Sequence, residues 1–223
     1  MKIIVATDSA SGITKEEAKK LEIPVLPVPF IINGTEYYEN VNMTKETFYQ
    51  LLNDDAEIST SQPSYMALTE FFNNLLKEYD AIIYIPLSSG LSGSCQTASM
   101  IAADEYDGKV WVVDNQRISV SQRQSVLDAQ SLIQQGKSPQ EVYDQLMNTK
   151  FDSSIYIMLD TLKYLAKGGR LTPAAAVIGN VLNLKPVLQI QGEKLDAFSK
   201  TRGYKKGTKI MLEALKNDLS GRY

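Results

Sequence analysis

The stretch Ala81-Ile-Ile-Tyr-Ile-Pro-Leu-Ser-Ser-Gly-Leu-Ser-Gly-Ser94 constrains this chain more than any other. An apolar run of strand length stops at a hydroxyl- and glycine-rich turn, and a helical pattern from Gln96 to Asp104 follows at once. A run apolar on both faces suits a buried strand of a parallel sheet. The free backbone N–H groups of the helix start then converge with the hydroxyls on one spot suited to an oxyanion. A second cluster, Ile58-Ser-Thr-Ser-Gln-Pro-Ser64, also opens a helix, which Pro63 is expected to start. If the two turns come from neighbouring elements of one sheet, they can close on a single carboxylate or phosphate.

The rest of the chain alternates in the same way. Residues 2–7 read as a first strand ending in Thr7-Asp8-Ser9-Ala10-Ser11-Gly12, and Thr14-Lys-Glu-Glu17 is a capping box that starts a helix near Lys15. Ile23 to Ile32 is β-rich, and Asn33-Gly34 predicts a hairpin turn into Thr35–Tyr38. Helices are predicted over 44–53, 63–78, 93–106 and 118–135, with strands at 82–87 and 109–114. Ser138-Pro-Gln-Glu141 is a second capping box and opens a helix to about 148. Strands alternating with helices imply crossovers and a parallel sheet. The pattern changes near Phe151: a strand at Ser154–Leu159, a short helix, a helix from Pro173 to Leu182 capped by Thr172, a hairpin of 186–190 and 195–199 turning at Gly192-Glu193, and a last helix from Tyr204. The expected organisation is a parallel-sheet α/β domain over 1–150 and a second, partial α/β domain with a largely antiparallel sheet over 151–223.

Composition removes several classes of function. The chain has no histidine and one cysteine, so a Ser-His-Asp triad, a Cys-His pair, histidine metal sites and a thiolate zinc cluster are excluded within it. The net charge is −3 with no lysine or arginine block, which argues against nucleic acid or an anionic membrane as the main partner. No apolar run reaches the roughly 20 residues that span a bilayer, and the start is a strand rather than a signal segment, so a cytoplasmic protein is expected.

Within the turn, Ser88, Ser89, Ser92 and Ser94 suit N-cap and turn positions for local reasons alone. Four hydroxyls with Gly90 and Gly93 at the carboxyl end of a buried strand also mark a ligand position of α/β sheets. Neither a Walker loop nor G-x-G-x-x-G is present, and Ser92 does not sit in a G-x-S-x-G elbow. Thr60, Ser61 and Ser64 are capping candidates with the same double reading. Asp8 and Asp114 follow strands, as magnesium ligands often do, but an Asx turn explains Asp8 and no phosphate loop accompanies either. Cys95 stands in a first helical turn, where a thiolate is favoured, although a small buried residue fits the position equally.

Taken in order, Val5-Ala-Thr-Asp-Ser9, Thr60-Ser-Gln-Pro-Ser64, Leu87-Ser-Ser-Gly-Leu-Ser-Gly-Ser94, Leu162-Lys-Tyr-Leu-Ala-Lys-Gly-Gly-Arg-Leu171, Lys185-Pro-Val-Leu188 and Thr201-Arg202 resemble the DegV family over essentially the whole chain. The resemblance implies a long-chain fatty acid held between two α/β domains. It also implies service as the acyl-presenting subunit of a fatty acid kinase, whose separate kinase subunit phosphorylates the bound carboxylate with ATP. By the family pattern, Thr60 and Ser92 meet the carboxylate, with Ser61 and the Ser92-Gly93 backbone beside them, while Arg170 and Arg202 dock the kinase. No cofactor, no metal and no chemistry of its own are implied. Members of the family usually continue further and supply a histidine near the carboxylate, so the chain reads as a truncated form of the fold. Cys95 stands where an aromatic is common. Two other readings stand beside this one: a nucleotide- or phosphosugar-handling enzyme using the same turns, and a remnant that folds but binds nothing.

Overall fold

The computed structural model describes residues 1–39, 41–173, 175, 185–192 and 195–222. The chain divides into two units, Met1–Asn148 and Thr149–Tyr223.

In the first unit, β1 (Ile3–Asp8), β2 (Val25–Leu26), β6 (Ala81–Ile85) and β7 (Val110–Val112) form a parallel sheet in the order β2-β1-β6-β7. Every residue of β6 is buried, as its unbroken apolar run requires of a strand covered on both faces. Side-chain alternation divides the two central strands between two cores. Ile4, Ala6, Ile82 and Tyr84 face α3 (Tyr65–Leu75) and α4 (Ser94–Glu105), meeting Leu68, Phe72, Ala98 and Ile101. Val5, Ile83 and Ile85 face the other way, onto Val126 and Ala129 of α5 (Ser119–Gln134) and Val142 and Leu146 of α6 (Pro139–Asn148). The two capping boxes form as the sequence predicts. Glu17 N–H donates to Thr14 Oγ1 at 3.2 Å at the start of α1 (Lys15–Leu21), and Ser138 N–H donates to Glu141 Oε2 at 2.9 Å at the start of α6.

A separate antiparallel sheet, in the order β4-β3-β5, is built from β3 (Pro29–Ile32), β4 (Thr35–Tyr38) and β5 (Ile58–Thr60). The Asn33-Gly34 hairpin is as predicted, with both residues at positive φ. Strand β5 is not foreseen in the sequence, and it corrects one expectation: the Thr60 turn leaves this sheet, whereas the Ser92 turn leaves the parallel one. Three residues, two of them hydroxylated, carry too little apolar pattern to announce a strand; pairing with Phe30–Ile32 decides it. Helix α2 (Lys45–Asn53), capped by Thr44, connects β4 to β5. Pro63 does not start α3. Ser64 is the cap, accepting from Ala67 N–H at 3.2 Å, and the helix begins at Tyr65.

The second unit is an antiparallel sheet, β10-β9-β8, of β8 (Ile155–Met158), β9 (Lys185–Ile190) and β10 (Leu195–Thr201). Helix α7 (Lys163–Lys167) follows β8, and α8 (Tyr204–Arg222) ends the unit. Gly207 brings α8 close to the sheet: a Cβ there would collide with Met158 Sδ. Thr172 Oγ1 accepts from Ala175 N–H at 3.3 Å, the cap the sequence predicts, while most of the predicted helix to Leu182 lies outside the described residues. Glu193 of the predicted turn lies outside them too.

Candidate functional site

The carboxyl ends of β1 and β6 are held by a buried polar network. Asp8, fully buried, accepts from Leu87 N–H at 2.8 Å, Ala10 N–H at 3.1 Å and Gln122 Nε2 at 3.0 Å. Burial raises its carboxyl above the usual range, and these three donors partly offset the rise. Asp114 accepts from Ser89 N–H at 3.1 Å, and Arg117 C=O accepts from Ser88 N–H at 3.1 Å. Asp8 and Asp114 therefore fix the backbone of the serine turn. Among the described residues no group of three acidic or thiol side chains could hold a metal ion.

With its anchor fixed, the turn curls on itself. Leu91 and Ser92 N–H both donate to Ser88 C=O, at 3.0 and 3.1 Å, and Gly90 N–H donates to Ser88 Oγ at 3.3 Å. This corrects the expectation that the Ser92 and Gly93 amides act together on an anion: the Ser92 N–H is already spent inside the turn. Among the described residues the Gly93, Cys95 and Gln96 amides at the start of α4 have no protein acceptor. Ser92 Oγ accepts from Ser94 N–H at 3.2 Å, which leaves its O–H proton to donate outward. Gly93 is the cap residue of α4 and has no side chain to occupy those amides.

The second turn reaches the first through a residue the sequence reading passed over. Gln62 Nε2 donates to Thr97 Oγ1 at 3.1 Å, one turn into α4. Its Oε1 lies over Gly93, 2.5 Å from where a Cβ would stand. Ser61 N–H donates to Pro29 C=O at 3.2 Å, extending the β3–β5 pairing into the turn, and Thr60 stands exposed with no hydrogen-bond partner for its hydroxyl among the described residues. Gly93→Ala is expected to displace the Gln62 amide, a flexible exposed group, rather than unfold the protein. Its melting temperature should stay close to that of the wild type while the Gln62–Thr97 contact is lost, which a crystal structure of the variant would check.

Beside Thr60 lies a cavity of about 400 Å³ within the first unit, of the size that small-molecule sites occupy. Val28, Phe30, Met43, Phe48 and Ile58 make its wall largely apolar, and Ser9, Glu39 and Lys45 supply polar groups. The register explains the wall. Ile58 and Thr60, two residues apart, share one face of β5, and Phe30 sits opposite Thr60. Alternation over Ile58–Thr60 was the available signal, and it is too short to read without the partner strand.

Cys95 is buried, and burial with Asp114 close by pushes its thiol up to about 12. The electrostatic help of the helix start is outweighed. A thiol reagent should label Cys95 only after unfolding; rapid labelling of the native protein would contradict this.

Arg170 and Arg202 are not brought together along β10. Arg170 precedes Leu171, which bridges Leu195 at one end of that strand, and Arg202 follows Thr201 at the other. Arg170 Nη1 also folds back on Gly168 C=O.

These features define a class: a two-unit α/β protein in which a hydroxyl-rich turn at the carboxyl end of a parallel sheet is joined through Gln62 to a second turn that borders an apolar cavity. The chain belongs to the DegV family, described as uncharacterised proteins, whose model matches residues 2–222. It is 34% identical over 217 residues to the DegV domain-containing protein TTE1491 of Caldanaerobacter subterraneus subsp. tengcongensis, covering 97% of this chain and 77% of that one. It is 33% identical over 222 residues to Protein DegV of Bacillus subtilis, covering 99% and 79%. Among solved structures it resembles a DegV family protein from Thermus thermophilus described by its fatty acid binding, with a TM-score of 0.90, 31% identity, and 99% and 79% of the two chains covered. DegV from Bacillus subtilis, described as a fatty acid binding protein, gives a TM-score of 0.87 at 32% identity, again over 99% and 79%. Among the described residues no helix is long and apolar enough to cross a membrane.

Proposed function

We propose that this chain binds a long-chain fatty acid, holding the carboxylate at the Thr60 and Ser92 turns and the start of its alkyl chain in the cavity beside Thr60. The observation that carries the reading is the pairing of outward hydroxyl and amide donors with an apolar cavity in one unit. A carboxylate accepts and never donates, so Thr60 O–H, Ser92 O–H and the Gly93 amide are the complement it needs. Ser61 flanks them. Burying about 14 methylenes at about 0.8 kcal/mol each contributes roughly 11 kcal/mol before association costs, so the chain dominates affinity and the donors fix orientation. The structural relatives described as fatty acid binding proteins support the same ligand. A phosphosugar or nucleotide fits less well, because among the described residues Lys45 is the only basic side chain on the cavity wall.

The finer reading is that the chain is a non-catalytic carrier. It presents the carboxylate to a separate ATP-dependent kinase subunit, which transfers the γ-phosphoryl group to a carboxylate oxygen, giving acyl phosphate and ADP. Arg170 and Arg202, at opposite ends of β10, are the candidate docking residues. Loaded protein, ATP–Mg²⁺ and a fatty acid kinase subunit should form acyl phosphate, trapped as a hydroxamate with hydroxylamine. Neither protein alone should do so, and hydroxamate formed by this chain alone would overturn the carrier role.

A further inference from the structure

Helix α2 roofs the cavity, with Lys45, Phe48 and Tyr49 contributing to the lining and Thr44 capping its start. It is amphipathic, yet it buries none of its residues: Phe48, Leu51 and Leu52 are half-buried, and Tyr49 is 51% exposed. The other helices around the parallel sheet are held differently. Glu17 ties α1 to Arg123 of α5, the Tyr106 hydroxyl after α4 bonds Asn73 of α3, and α3 and α4 both put side chains into the core. Among the described residues no side-chain hydrogen bond or ion pair joins α2 to another element. Its polar contacts stay local, as between Thr44 and Thr47. What holds it is apolar contact, chiefly the ring of Phe48 edge-on to Phe30 at 5.5 Å and 90°. An element with little buried apolar contact and few ties opens at low free energy.

We propose that α2 is the lid of this cavity, opening to admit the alkyl chain of a fatty acid and closing onto it through Phe48 and Tyr49. The inference rests on the fatty-acid reading above and adds the moving element to it. In the loaded protein the methylenes pack against Phe48 and Tyr49 on the inner face of α2, so ligand and lid stabilise each other. The lid is also wired to the head-group site. It ends at Asn53; Asp55, two residues on, lies in the left-handed region at φ 56°, and three residues later the chain enters β5, whose last residue is Thr60. A shift of α2 therefore pulls on the strand that presents the carboxylate donor.

Hydrogen–deuterium exchange read by mass spectrometry tests this, using the full chain without ligand and after loading with palmitate confirmed by native mass. Without ligand, amides of 45–53 should exchange at least roughly tenfold faster than those of 65–75 in α3, as expected of a locally opening element. Loading should remove most of that difference. Phe48→Ala, with its fold confirmed by Trp111 fluorescence, should release palmitate roughly tenfold faster, since a half-buried ring contributes about one decade. If α2 is as protected as α3 without ligand, or if its exchange is unchanged in protein shown to carry palmitate, the lid is overturned and the binding reading stands. No mass gain with palmitate would overturn the binding reading itself, and the lid with it.

Discussion

Thr60→Val combined with Ser92→Ala is expected to weaken retention of a long-chain fatty acid by roughly a hundredfold or more. Hydrogen bonds to a charged group contribute about 1.5–3 kcal/mol each, and two at the lower end already amount to about two decades. The exposed position of Thr60 argues for that lower end, because water competes for the same carboxylate. The fold should survive. Thr60 makes no side-chain hydrogen bond among the described residues, and loss of Ser92 Oγ removes one local bond, to Ser94 N–H, of about 1 kcal/mol. Thr60→Ser and Ser92→Thr keep the hydroxyls and should retain ligand close to the wild-type level. Dissociation measured by displacement of a fluorescent fatty acid would check all of these. A change below threefold in the double variant would remove the carboxylate from this position.

The largest expected loss of stability comes from Phe72→Ala. Phe72 is fully buried between the parallel sheet and α3, edge-on to Tyr84 at 5.2 Å and to Tyr106 at 5.7 Å. Truncating a buried phenylalanine costs about 3–5 kcal/mol, and the two edge-to-face pairs place this site toward the upper end. The strand residue beneath it cannot follow the retreating side chain, because Tyr84 is fixed within β6 between two paired neighbours. Trp111, the single tryptophan, lies on β7 in the same unit and reports its unfolding in urea. A loss below about 1 kcal/mol would mean that the core repacks around the gap, against the close packing proposed for it.

Much of this architecture is legible in the sequence because its signals are local. The run Ala81–Ile85, the capping boxes at Thr14 and Ser138 and the Asn33-Gly34 hairpin each state their structure within a few residues. The relation between the two candidate turns is not local. It depends on β5 pairing with β3 and on Gln62 reaching Thr97, 35 residues away, and no short-range pattern encodes either. Asp8 shows the same division. Its Asx turn to Ala10 is readable, whereas its bond to Leu87 N–H, 79 residues away, exists only once β1 and β6 are side by side. The cavity wall is assembled from β3, α2 and β5, so the residues around it read singly as ordinary apolar positions. Pro63 misleads because proline often opens a helix, whereas here the cap is the serine after it.

Native and denaturing mass spectra of the protein purified from a bacterial host, followed by lipid extraction, bear most directly on whether this chain holds a fatty acid. The expected result is a native mass excess that disappears on denaturation, with a free fatty acid recovered in the extract and its chain length thereby identified. A native mass equal to the polypeptide alone, unchanged after incubation with palmitate and with oleate, would contradict fatty-acid binding by this chain.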